Sequence, residues 1–366
     1  MEPETWCNLA MRVVAIMLVC LCAFAQNRAT LTPKEISDGW LLIYDGESVF
    51  GWSLEGGAQW SSDPDGVLSA RSGESGDMVL TSIFGDYQLT CDIRTPDDKG
   101  SGLLLSGVQM PPVKPNDKWH SYSVTSSGGR LVATVDGKKV LDQQVKQLGT
   151  IVLHYRNGDR ISFRQLKLKP LGLSPLFNGK DLNGWREVPA RQAKDAGEWA
   201  VKDGMIHVEH GPGQLETNGQ YKDFVLQLDI RANSKDPRKH PLSGVFLRGD
   251  ANGVATGYEA KIHNDFKDND RSQPLDFGTG GIDRIQPTRK VVSNDNEFFT
   301  KTILVRGRHF SVWVNGIQLT DWDDPNPEGA VVANNQAKLG PGNISLQAHD
   351  AGSNVDFQNV RIAELK

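Results

Sequence analysis

The sequence predicts an all-β protein in which one strand-rich domain occurs twice in tandem. Three observations carry that expectation. Apolar and polar residues alternate with period two in run after run, and Gly, Asn and Asp separate the runs. Asp136-Gly137 and Asn315-Gly316 each sit between two such runs, where a two-residue hairpin turn needs positive φ at both positions. The order of motifs in the first half also returns in the second.

At 366 residues, with 38% hydrophobic and 23% charged residues, the chain suits two soluble domains that can each bury a core. The 38 glycines and 18 prolines fit many short strands joined by tight turns. A net charge of −5 and the lack of a basic stripe give no reason to expect nucleic acid or an anionic membrane as partner.

The first residues read as an address label. Arg12 precedes the apolar run Val13 to Ala25, which ends in Ala23-Phe24-Ala25. That is the pattern of a secretory signal peptide over residues 1–25, too short to span a bilayer. Glu2 and Glu4 fit such a start poorly, which makes Met11 a candidate first residue. Export to the periplasm or the exterior follows, with no membrane attachment after cleavage. Cys7, Cys20 and Cys22 leave with the signal, so Cys91 remains alone, in a strand-like run, as a buried thiol.

Residues 26–37 form a polar linker, and Leu31 to Trp40, which overlaps its end, allows one short helical turn with Pro33 near its start. The repeat then begins. Leu41 to Trp52 (LLIYDGESVFGW) echoes Pro175 to Trp185 (PLFNGKDLNGW). YQLTCDIR followed by SGLLLSG echoes FVLQLDIR followed by SGVFLRG. VATVDGKKVLD echoes SVWVNGIQLTD, and ISFRQLKL echoes VDFQNVRI. The copies are placed at residues 38–171 and 172–366. They differ after the SG strand: the first has a short connector with Met110-Pro111-Pro112, while the second inserts GYEAKIHND and a long loop, Phe266 to Asn296. Such a loop is a candidate binding loop, and the inserted strand is expected in one copy only.

On that inserted strand Glu259, Lys261 and His263 share one face, because residues two apart point the same way. The same count puts Phe246 and Arg248 on one face of the preceding strand. Gln347 and His349 share a face of a later strand, which repeat order can bring into the same surface. A polar strand face is either solvated or working, so Glu-Lys compensation on a wet surface is the plain alternative. Glu259, His263, His349 and Asp350 carry metal-ligand atoms, but no close ligand spacing supports a metal, and no cofactor is expected.

LFNGKDLNGW (Leu176 to Trp185), Ser243 to Arg248, Gly257-Tyr258-Glu259, Thr279-Gly280, Asn315-Gly316 and Leu346 to His349 resemble the 3-keto-disaccharide hydrolase domain family. The resemblance covers Pro175 to Lys366, and Leu41 to Leu171 in degenerate form. It implies a concanavalin A-like jelly roll in each copy, a carbohydrate partner, and action on glycosides whose glucose C3 is a ketone. Such a ketone acidifies the C2 proton, so a base removes it, the C1 substituent leaves, and water then adds. That chemistry needs a base, a cation at the C3 oxygen and an acid for the leaving group. The expected catalytic residues are Glu259, His263, Arg248 and His349, and the expected substrate-binding residues are Lys261, Asn264, Gln347 and Trp322. The family usually has Gln at Lys261, an aromatic at Asp283, Trp-Asn at Phe298-Phe299 and Arg at Gln358, where Arg164 fills the matching place in the first copy.

Bland readings stand beside these. Arg248 also suits a core-edge arginine paired with Glu259, and Asp350 suits the start of a turn. Trp185 and Trp199 read as core, whereas Trp313 and Trp322 are candidates to stack on sugar. His207 and His210, beside Glu209, read as surface. A two-glutamate glucanase mechanism is unavailable, since the comparable strand reads Gln227-Leu228-Asp229-Ile230-Arg231. No G-x-S-x-G elbow supports a serine hydrolase. A non-catalytic lectin-like module and a structural surface protein remain the rivals.

Overall fold

The computed structural model describes residues 29–97, 99–145, 149–190, 196–327, 330 and 337–365. The signal-peptide expectation, with Cys7, Cys20 and Cys22, lies outside them. The expected turn is the helix Pro33–Ser37, closed by a capping box between Thr32 and Glu35. Every other long element is a strand.

The first half forms one 11-stranded antiparallel sheet. Its strand Leu68–Leu80 is 13 residues long and changes neighbours along its length: Leu68 to Ala70 pair with Ile161–Pro170, and Gly76 to Val79 pair with Ile151–Tyr155. That strand carries the sheet from one layer to the other. In the second half the matching stretch is broken at His210-Gly211-Pro212. Met205–Glu209 pairs with Asn354–Glu364, and Gly213–Thr217 pairs with Asn343–Ala348. The result is two separate sheets of eight and five strands. Each half is thus a jelly-roll sandwich, and the strand orders match throughout.

Alternation puts Leu215, Val245, Ala260, Ile262 and Leu346 of the five-stranded sheet against Leu226, Ile230, Ile303 and Phe357 of the eight-stranded one. The eight-stranded sheet is covered on its other side too. Val225, Leu304 and Trp313 belong to the core of the first half, which explains why Phe299–Arg306 is buried almost continuously. The Trp313 indole donates to the Leu42 carbonyl at 3.3 Å, and Arg289 binds Asp45 and Ser48 across the seam. Both Asp-Gly and Asn-Gly turns have the expected positive φ, 49° then 76° in each. Gly316 is needed twice over, since a Cβ there would lie 2.1 Å from Leu31 Cδ1. Cys91 is buried, and burial pushes its thiol pKa up.

The inserted strand, Tyr258–Ile262, is not confined to one half. The first half keeps a two-residue remnant, Val108–Gln109, in the matching edge position. Gln109 pairs with Leu104 as Glu259 pairs with Phe246, so an amide stands where the second half has an acid. Met110-Pro111-Pro112 ends the strand there, as proline removes the ladder donor.

Candidate functional site

The edge strand Tyr258–Ile262 pairs with Ser243–Gly249, placing Gly244 opposite Lys261 and Phe246 opposite Glu259. The register continues through Ser345 opposite Phe246, and Gln214 opposite Gln347. One face of the five-stranded sheet therefore carries Glu216, Gln214, Gln347, Glu259 and Lys261 together. Gly244 is what lets Glu259 lie flat, because a Cβ there would sit 2.5 Å from the Glu259 carboxylate.

The long loop then returns to cover the edge. Lys261 N–H donates to Gly281 O, Asp283 N–H donates to Glu259 O, and Ala260 bridges Ile282. This brings two carboxylates to Lys261 that strand periodicity does not show. Its ammonium lies 3.1 Å from Asp276, 3.3 Å from Asp283 and 3.8 Å from Glu259. Burial pushes the Lys261 pKa down, but Glu259, Asp283 and Asp276 more than offset it and hold the group above its ordinary value. Burial raises the Glu259 carboxyl to about 7, with Lys261 opposing and Asp283 and Asp276 adding to the rise.

His263 follows on the same face, its Nδ1 3.3 Å from the Leu275 carbonyl and 4.0 Å from Asp276. A ring nitrogen facing a carbonyl must be the donor, so Nε2 keeps its lone pair in the neutral ring. Burial lowers the His263 pKa, against the opposing pull of Leu275 and Asp276.

Lys301 reaches the strand from beneath. It lies wholly inside the sandwich and donates to the carbonyls of Ala260 (3.2 Å) and Lys261 (2.6 Å). Burial lowers its pKa to about 7.

Other expected residues fall elsewhere. Arg248 does not share the Glu259 face: its φ is +56°, and the ladder shifts register between Phe246 and Gly249, which breaks alternation. The guanidinium is buried against Asp223 (2.9 Å) and the carbonyls of Lys222 and Gly307. Neither is it paired with Glu259. Trp322 packs on Phe310 and Tyr258, on the core side of the strand rather than the polar face. His349 lies past the end of its strand, with Nδ1 3.0 Å from Asp350, and no hydrogen bond or ion pair joins it to Lys261. Asn264 is buried and fully engaged, donating to Asp295 and accepting from Thr279 and Ser293. Gln347 is buried on the polar face. Asp350 does start a turn, accepting from Gly352 N–H. His207 is not a surface residue; it is half-buried between Asp356 (2.6 Å) and Glu209 (3.3 Å). Among the described residues no group of three or more His, Cys, Asp or Glu is arranged to hold a metal ion.

A cavity of about 600 Å³ opens at the end of the sandwich where the Ser243–Gly249 strand begins. It lies beside the cluster rather than over it, and His240 in its wall has its ring centroid 6.1 Å from that of His263.

Residues 172–363, more than half of the chain, match the family of 3-keto-alpha-glucoside-1,2-lyase-like domains. The chain belongs to that family. Solved structures are similar at a lower level. One, from Parabacteroides distasonis, is named as a candidate glycosyl hydrolase; it is 23% identical, with 53% of this chain and 94% of that one covered, at a TM-score of 0.43. A carbohydrate binding module from Bacillus subtilis is 17% identical over 48% of this chain and 93% of its own, at a TM-score of 0.35. No curated protein matches. No helix among the described residues is long and apolar enough to cross a membrane.

Proposed function

We propose that the second half cleaves 3-keto-glycosides by elimination followed by hydration, and that the first half is an accessory module. The observation that carries this reading is the pairing of a neutral, tautomer-fixed imidazole with a retained cation. His263, one residue past the end of the edge strand, and Lys261 within it share Asp276. His263 Nε2 takes the C2 proton, and the Lys261 ammonium faces the C3 oxygen, where enolate charge develops. Glu259 and Asp283 hold that ammonium in place. The first half, with Gln109 at the Glu259 position and no counterpart of Lys261 or His263, lacks both groups.

Incubating the purified protein with a 3-keto-glucoside tests the reading. Release of the leaving group is expected from the oxidised substrate and not from the parent glucoside. His263→Gln should lower kcat by about 100-fold or more, the usual effect of losing a positioned base. No release, or an undiminished His263→Gln variant, defeats it. The binding-module reading draws support from the three carboxylates that occupy Lys261; it requires saturable sugar binding with no turnover. Export belongs to the same proposal, and the secreted protein should begin at Gln26; a mature end far from there rejects the signal-peptide assignment.

A further inference from the structure

We propose that His240 is the acid that protonates the departing oxygen, with Asp295 as its positioning residue and the adjoining cavity as the seat of a polyhydroxylated leaving group such as a second sugar. The proposal rests on the 3-keto-glycoside reading above and adds to it a residue and a subsite.

The geometry is built from the loop inward. Asn264 is held by Thr279 and Ser293, each at 2.6 Å, and donates to Asp295 at 2.8 Å. Asp295 in turn faces His240 Nδ1 at 2.6 Å. An imidazole fixed through one nitrogen presents the other to its surroundings. Here that nitrogen, Nε2, lies 3.4 Å from Asp265. The His240 and His263 rings meet edge to face at 80°, with centroids 6.1 Å apart. Two groups that each reach about 3 Å can act on adjacent atoms of one sugar from such a separation. His240 also lines the cavity of about 600 Å³, whose other walls include Glu209, Asp236, Lys239, Asp350 and Asn354. That volume is in the range of small-molecule sites, and those side chains suit hydroxyl groups rather than an apolar aglycone.

The protons balance. His263 takes the C2 proton, and the C2–H electrons form the C1=C2 bond. The C1–O bond breaks, its electrons leave with the oxygen, and that oxygen takes the Nε2 proton of His240, which enters the step as the imidazolium with a carboxylate facing each ring nitrogen. Water then adds at C1 and gives a proton to His240, while His263 returns its proton to C2. Both residues end as they began, and the net change is hydrolysis.

Leaving-group dependence tests the assignment. The full chain and its His240→Gln and Asp295→Asn variants are given two 3-keto-glucosides, one bearing 4-nitrophenol and one bearing glucose. Nitrophenolate departs without a proton, whereas the sugar alcohol needs one. His240→Gln should lose about 100-fold or more in kcat/KM on the disaccharide and less than about 5-fold on the nitrophenyl compound. Asp295→Asn should show the same split at smaller size, and retained nitrophenyl turnover shows that the variants fold. Equal losses on both substrates, or none, overturn the proposal. A wild-type protein inert to both substrates overturns the 3-keto-glycoside reading itself and takes this proposal with it.

Discussion

Burial lifts the Glu259 carboxyl to about 7; Lys261 opposes the rise but is shared with Asp283 and Asp276, which add to it, and the buried Lys301 opposes it more weakly. The sign of the effect on stability follows from linkage. The folded state holds the Glu259 proton more tightly than the unfolded chain does, so this stabilisation is fully present below about 4.5 and is lost as pH rises through about 7. A rise from 4.5 to about 7 corresponds to roughly 3 kcal/mol at about 1.4 kcal/mol per unit. Glu259→Gln should therefore gain stability relative to wild type as pH rises from 4.5 to 8, by about that amount. Urea melts at each pH measure it, and a difference independent of pH refutes the buried-acid account. Lys301 titrates with the opposite effect: its depressed pKa makes the fold gain stability as pH rises from about 7 toward the ordinary lysine value of 10.5.

The element scale separates what the sequence makes legible from what it hides. Period-two alternation places Glu259, Lys261 and His263 on one face without help, and the Asp-Gly and Asn-Gly turns announce their own dihedral angles. The same counting fails at Arg248, where a positive φ and a register shift turn the side chain to the other side. Asp276, Asp283, His240 and Asp295 follow no strand period. They reach the site through backbone pairing of residues 279–283 with the edge strand and through the Asn264 network, and both are long-range contacts. For Asp276, Asp283 and Asp295 the signal is the length of the loop from Phe266 to Asn296, with Asp283 also a departure from the family pattern; neither says which side chains turn inward, and His240 lies outside that loop with no signal of its own. The remnant Val108–Gln109 was hidden for a related reason, since two residues are too few to show any period. Its neighbourhood repeats the architecture nonetheless. Tyr122 donates to the Pro111 carbonyl from the strand position that Lys301 occupies in the second half, so both halves tie the edge segment to the opposite layer of the sandwich.

At the scale of the molecule, the seam between the halves contains an arrangement that imitates a serine hydrolase. His309 lies 2.8 Å from Ser311 Oγ through Nε2 and 3.0 Å from Asp323 through Nδ1. Ser311 is wholly buried, and its hydroxyl takes the Ser82 hydroxyl proton from the first half, so no substrate can reach it. The network is a latch. Burial lowers the His309 pKa, but Asp321 and Asp323 more than offset it and raise it above the ordinary value. Its contribution is present below the unfolded histidine value, about 6.5, and is lost as pH rises through the folded one. His309→Gln should lower Tm at pH 5.5 by a few degrees and change it little at pH 9; parallel curves for the two proteins would falsify the latch. The seam also bears on how the chain comes off the ribosome. The core of the first half is completed by Val225, Leu304 and Trp313. A nascent first half therefore emerges with an apolar face that stays open until most of the second half has been made. Synthesis leaves that face bare for the interval, which makes the half-made chain a client for holding chaperones and a source of aggregates when translation stalls.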